Sequence, residues 1–153
     1  MNIIRDAKSM RAWSLAQRAQ GRSVGLVPTM GALHRGHGSL LQACAARDDA
    51  RVISIFVNPT QFAPNEDFDA YPRTFDADVA LAEEADMDVV YTPTASTMYA
   101  RDYSTFVEVD GVSVGLCAQT RPRHFRGVAT VVAKLFNGVL PDHAYFGQKD
   151  AQQ

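Results

Sequence analysis

Apolar positions along this chain follow two alternating rhythms. Short continuous runs at residues 24–27, 51–57 and 88–91 are rich in β-branched side chains and too short for helices, which predicts strands covered on both faces. The longer stretches between them repeat their apolar residues at three- and four-residue spacing, which predicts helices. The first covers residues 6–20, capped by Asp6, with Met10, Trp13, Leu15 and Ala16 facing inward and Gly21 stopping it. The second covers residues 38–47 through Leu40, Leu41, Cys44 and Ala45, and the third residues 75–85. The last covers residues 126–139, with Val128, Val131, Val132, Leu135 and Phe136 inward.

Weaker signals fill the remainder. Residues 2–4 and 143–146 read as short strands, residues 93–99 as a short helix, and the weak alternation over 104–109 as an added strand before a turn at Asp110 and Gly111. Residues 58–74 hold three prolines and no helical period, so they read as a long ordered loop, a feature that is usually functional in a compact domain. Strands separated by helices of this length predict right-handed crossovers. The expected fold class is therefore α/β, a Rossmann-like parallel sheet with helices on both faces. Ligands of such sheets bind at the carboxyl ends of the strands. The loops after residues 27, 57 and 146 should converge there.

Composition narrows the partners. With 153 residues, 46% hydrophobic and 21% charged, the chain is long enough for one domain with a real core. A net charge of -2 gives no global basic field, which argues against nucleic acid. Cys44 and Cys117 lie far apart and form no metal-binding or disulfide pattern, as expected of a reduced, cytoplasmic protein. The N-terminus carries no apolar signal core, and no apolar run reaches membrane-spanning length. Gln153 falls within what the pattern reads as the first turn of another helix, so the chain is expected to be a fragment.

Candidate chemistry centres on VPTMGALHRGHGSLL, residues 27–41, a glycine-rich turn between a strand and a helix. Such a turn offers an anion free N–H groups and the positive end of a helix dipole. Gly31 and Gly36 have P-loop spacing, but His37 and Gly38 stand where Lys and Ser or Thr are required, and no G-x-G-x-x-G occurs. What remains is H-x-G-H. His34 and His37 would share one face of the first helical turn and donate to phosphate oxygens. In the second loop, the amides of Asn58 and Gln61 suit a substrate with hydroxyls and a carboxylate, or equally cap their own loop. In the third, Lys149 can neutralise a triphosphate and Asp150 can accept from ribose hydroxyls. RPRHFR, residues 121–126, reads as a pocket wall, Asp76 and Asp78 as Mg²⁺ ligands or, by preference, solvent-facing carboxylates, and His143 as an ordinary strand residue.

VPTMGALHRGH, SIFVNPTQF, YPRT, RPRHFRGV and FGQKDAQQ occur in that order over essentially the whole chain. Together they closely resemble the pantothenate synthetase (pantoate–β-alanine ligase) family, nucleotidyltransferases with the H-x-G-H signature. The resemblance implies ATP-dependent condensation of pantoate with β-alanine through a pantoyl adenylate, with Mg²⁺, in a cytoplasmic homodimer. It implies that residues 1–153 are the nucleotide- and pantoate-binding domain, without the family's C-terminal domain, able to bind substrates but weakly active or inactive alone. Implied catalytic residues are His34, His37 and Lys149. Implied ATP ligands are Met30, Gly31, Ala32, Leu33, His34, Arg35, Gly36 and His37, then Gly147, Gln148, Lys149 and Asp150. Pantoate would meet Pro28, Thr29, Asn58, Gln61 and Gln153, and β-alanine Gln61. Gln148 departs from the family's usual glutamate and Ala151 from a usual aromatic. Another nucleotidyltransferase activity, or a non-catalytic binding or dimerisation module, is the alternative.

Overall fold

The structure, a computed structural model, describes residues 1–62 and 68–153. Five parallel strands, β1 (Asn2–Ile4), β2 (Val24–Thr29), β3 (Ala50–Ile55), β4 (Val89–Tyr91) and β5 (His143–Ala144), lie in the order β1-β4-β3-β2-β5. β2 pairs with β3 over six residues, Val24 opposite Ala50 to Thr29 opposite Ile55, and on its other side with β5 through Gly25 and Leu26. From β2 the chain thus advances one way through β3 and β4, and the other way to β5. That reversal opens a crevice at the carboxyl ends of β2 and β5.

The helices are α1 (Ala7–Arg18), α2 (Arg35–Arg47), α3 (Phe75–Glu84), α4 (Ala95–Met98), α5 (Cys117–Thr120) and α6 (His124–Val139). Alternate strand residues feed two cores. Leu26, Val52, Val89 and Tyr91 pack against Met10 of α1 and Val131, Leu135 and Val139 of α6. Val27, Ile53, Ile55 and Val90 pack against Leu41 and Cys44 of α2 and Ala82 of α3. Fully burying each such side chain contributes roughly 1.5–3 kcal/mol, which is why strands covered on both faces are apolar throughout.

Several elements differ from their sequence reading. The α1 stripe is Met10, Trp13 and Ser14, while Leu15 and Ala16 are exposed, because small Ser14 occupies the position against the core. Residues 104–109 form no strand: no neighbouring strand among the described residues offers them a ladder, and Val107 N–H instead donates to the Thr130 hydroxyl at 3.0 Å. The helix expected over residues 93–99 shortens to α4, and the expected strand over 143–146 to β5. α2 begins at Arg35, three residues before the expected start, because His34 caps it. Part of the expected loop over residues 58–74 lies outside the described residues. No helix among the described residues is long and apolar enough to cross a membrane.

β5 is short and is held by more than its ladder. Asp48, the C-cap of α2, is fully buried in its side chain and accepts from His143 Nδ1 at 2.7 Å and from the Tyr145 hydroxyl at 2.5 Å. His143 is thus an anchor as well as a strand residue. Burial, then the bond to Asp48, pushes the Tyr145 phenol well above its ordinary range, and burial pushes the neighbouring Cys44 thiol up to about 12. Asp48→Asn should cost about 1–3 kcal/mol, since an amide keeps one acceptor and turns a donor toward a donor. Denaturant unfolding together with amide exchange at residues 143–145 checks this, with faster exchange there as the expected result.

Candidate active site

The turn after β2 is shaped by a carboxylate 45 residues away in sequence. Asp78, on the first turn of α3, is 3% exposed and accepts from the backbone N–H of Ala32 at 3.0 Å and of Leu33 at 2.8 Å. Thr74 adds a third hydrogen bond at 3.1 Å. This corrects the solvent-facing reading: a buried carboxylate is tolerated because three donors surround it. Gly31 sits at φ +83°, and a Cβ there would stand 2.9 Å from the Asp78 carboxylate, so only glycine fits. Ala32 follows in the left-handed region at φ +51°, its N–H held by Asp78.

Thr29 completes the turn, its hydroxyl donating to Ser54 O at 2.7 Å and accepting from Gly31 N–H at 3.1 Å. The N–H groups of Gly31, Ala32 and Leu33 are therefore all engaged within the chain, contrary to the expectation that the turn leaves them free for an anion. The next donors lie at the start of α2. His34 Nδ1 accepts from Gly36 N–H at 3.0 Å, and His37 Nδ1 accepts from His34 N–H at 3.3 Å. With Nδ1 used as acceptor, the neutral ring carries its proton on Nε2, which gives each imidazole a donor at a helix N-terminus. Their centroids are 4.2 Å apart, and no acidic residue occupies the first turn of α2.

The second loop begins with the short 3₁₀ turn Pro59–Gln61, capped by Asn58. Asn58 is 1% exposed, and its amide is committed: it donates to Gln61 Oε1 at 2.9 Å and Gly127 O at 3.2 Å, and accepts from Tyr99 at 2.7 Å. It therefore orients Gln61, whose Nε2 lies 3.4 Å from Met30 Sδ. Behind this turn stands RPRHFR, which supports the loop where a pocket wall was expected. Arg121 donates to Gln61 O at 3.1 Å, His124 Nδ1 lies 3.1 Å from the same oxygen, and a Cβ on Gly127 would meet Thr60 O at 2.5 Å. Gly127 is the close contact that lets the Gln61 turn lie against α6.

The third loop follows β5 through Phe146 to the 3₁₀ turn Gln148–Asp150, where Lys149 Nζ pairs with Asp150 at 2.7 Å. The three loops meet around a cavity of about 700 Å³. Its walls include Pro28, Thr29, Met30, Gly31, Ala32, His34, Gly36 and His37 from the β2 end, and Asn58 and Gln61 from the β3 end. Gly147, Gln148, Lys149, Asp150 and Gln153 close the third side. Two expected ATP ligands stand outside the lining: Leu33, packed into the α2–α3 core, and Arg35 on the exposed outer side of α2. Not foreseen in the sequence were Tyr71, Phe56 and an apolar floor of Val128, Val131, Val132 and Leu135 from α6. The three-and-four spacing of that floor was visible, but spacing cannot distinguish a core-facing side chain from one that floors a cavity.

Burial first, then the repulsion that a protonated neighbour His34 and the Lys149 ammonium would exert, holds the His37 imidazole below the ordinary histidine range. The unfolded chain takes up this proton at a higher pH than the folded one. His37's contribution to stability is thus intact above the ordinary histidine range and is lost as pH falls through it to the lower folded value. An NMR titration of the His37 ring should give a midpoint below that of a solvated histidine, and a midpoint at or above it would contradict this electrostatic picture. Asp78→Asn should cost about 1–3 kcal/mol and loosen the amides of Ala32 and Leu33, measured by denaturation and amide exchange.

Similarity to known proteins agrees with this geometry. The sequence profile of the family described as Pantoate-beta-alanine ligase matches residues 2–153. A pantothenate synthetase of Acetivibrio thermocellus and another of Heliobacterium modesticaldum are each 54% identical over 153 residues, covering 100% of this chain and 54% of each relative. The chain spans about half the length of the curated relatives it matches. The crystal structure of the pantothenate synthetase from Thermus thermophilus superposes with a TM-score of 0.92 at 42% identity, covering 99% of this chain and 54% of that one. A pantoate-beta-alanine ligase from Francisella tularensis, complexed with beta-gamma ATP and beta-alanine, superposes at 0.93 with 37% identity, covering 100% of this chain and 59% of that one.

Proposed function

The chain belongs to the pantoate-β-alanine ligase family, and from that premise we propose that its cavity holds ATP and pantoate side by side and aligns them for adenylate formation. One observation carries the reading: loops from three strand ends bring His34, His37 and Lys149 to the same cavity as Gln61 and Gln153. The first group suits a polyphosphate and the second a hydroxy acid.

In this reading a pantoate carboxylate oxygen attacks the α-phosphorus, and the bond to pyrophosphate breaks. The β-alanine amine then attacks the acyl carbon of the adenylate, and AMP leaves. Negative charge builds on the phosphate oxygens in the first step, where the His34 and His37 Nε2–H donors, the α2 dipole and Lys149 stabilise it. Gln61, fixed by Asn58, orients pantoate, and Gln153 faces it, which is catalysis by positioning. Asn58 is a positioning residue here, since its own amide is engaged within the chain. β-Alanine would follow into the same side of the cavity beside Gln61.

Mg²⁺ fits this donor set as an ion that arrives with the triphosphate. No group of three or more His, Cys, Asp or Glu able to hold a metal occurs among the described residues, and Asp150 is the carboxylate that lines the cavity. Such an ion takes most of its ligands from phosphate and water and neutralises phosphate charge. Two free cysteines agree with a reducing, cytoplasmic setting. A homodimer is part of the same reading, supported by the exposed apolar side chains of Val109, Val112, Val114 and Leu116 on neighbouring positions.

Titration calorimetry with ATP and with pantoate separates the two halves of the cavity. His34→Ala or His37→Ala should weaken ATP binding by about 1.5–3 kcal/mol, as expected for a lost hydrogen bond to a charged group. Gln61→Ala should weaken pantoate binding and leave ATP affinity largely intact. Equal losses for both ligands would assign Gln61 to shaping the loop, and failure to bind pantoate alongside binding of another acceptor acid would favour a different nucleotidyltransferase activity.

A further inference from the structure

A second cavity, of about 540 Å³, lies beyond β4 on the α1–α6 face of the sheet. It uses a different side of α6: Thr130, Ala133, Lys134 and Asn137 line it, whereas Val128, Val131, Val132 and Leu135 floor the cavity described above. Its size falls within the roughly 300–1,000 Å³ typical of small-molecule pockets. Its outer wall is the irregular segment 103–107, held to α6 by the bond between Val107 and Thr130.

Its lining is mixed: Met98, Ala133 and the Tyr91 ring give apolar surface, Thr97, Thr130 and Asn137 add neutral polar groups, Lys8, Arg11 and Lys134 are its cations, and no carboxylate among the described residues lines it. The neighbouring Asp6 carboxylate is turned to the α1 cap, accepting from Ser9 N–H at 2.8 Å. Arg11 gives one nitrogen to Asn137 O at 3.0 Å and keeps the other donors of its fork. The Lys134 ammonium lies 4.2 Å from the Tyr103 ring centroid, held by the ring face with no acidic partner among the described residues. Three cations beside apolar surface suit an amphiphile, and a planar guanidinium fork suits a carboxylate head.

We infer that this cavity binds an organic carboxylate with an extended apolar body, its head between Arg11 and Lys134 and its body against Met98 and Ala133. The test uses octanoate as the probe, octanamide as its neutral counterpart and acetate as the head alone, each titrated into the isotope-labelled full chain and followed by amide NMR. Octanoate should saturate with shifts at Ala133, Lys134 and Asn137, and octanamide should bind about tenfold more weakly, the loss expected for one charge-assisted pair. Acetate should not saturate. Arg11→Gln, at an exposed position, should weaken octanoate about tenfold, and Ala133→Leu should abolish its binding by filling the floor. Equal affinity for octanoate and octanamide, equal affinity for acetate, shifts confined to the other cavity, or an unchanged octanoate affinity in a folded Arg11→Gln variant would each overturn the inference.

Discussion

β2 is the strand on either side of which the sheet order reverses, β3 on one side and β5 on the other, and that constraint places everything else. The crossover through α2 carries the chain from β2 to β3 on one side, and α6, reached after β4, delivers β5 to the other side. Neither can cover the carboxyl ends of both β2 and β5, so a crevice remains in a sheet otherwise sealed on two faces. α2 starts at that crevice and points its N-terminus into it, and the segment after β5 descends on the other side. The histidines and Lys149 come within electrostatic reach of each other because topology leaves them no other place.

Location is not yet shape, and shape here is set by three buried polar side chains acting on backbone. Asp78 clamps the turn after β2, Asn58 the turn after β3, and Asp48 the segment of β5. Each is nearly inaccessible to solvent and surrounded by donors or acceptors, the condition under which burying a charge or an amide is tolerable. Asp78 and Asp48 belong to elements other than the segments they hold, and Asn58 ties its own turn to α6 through Gly127 O. The loops are therefore fixed to the scaffold and to one another, and side chains that face the cavity arrive there already oriented.

Local pattern was enough to find the strands, because two-sided burial writes an uninterrupted apolar run into residues 24–27 and 51–57. H-x-G-H and the Gln61 and Lys149 motifs were legible for the same reason: the residues that mark each loop are neighbours in sequence. Asp78 was not legible. On a helix's first turn an acidic residue complements the dipole whether it faces water or protein, and only contact with a turn 45 residues earlier decides which. Residues 104–109 misled in the opposite sense, since alternation there has no partner strand to give it meaning. Leu15 and Ala16 are apolar yet exposed, because the small Ser14 occupies the buried position of α1.

The paired imidazoles carry a further consequence for how such a site handles phosphate. Each Nδ1 is needed as an acceptor for a backbone N–H at the start of α2, so adding a proton there would set donor against donor and undo the cap. Capping and positive charge are thus mutually exclusive for these rings, and the low proton affinity of His37 keeps the cap. In the reading proposed above, the two histidines act through neutral, fixed Nε2–H donors while Lys149 brings the full positive charge. Fixed neutral donors need little reorganisation as charge shifts from the α-phosphate to the leaving pyrophosphate. Lys149, exposed and paired among the described residues with Asp150, can follow that charge. The rigid part of the site is accordingly the part that the fold itself requires, and the movable part hangs from the shortest strand.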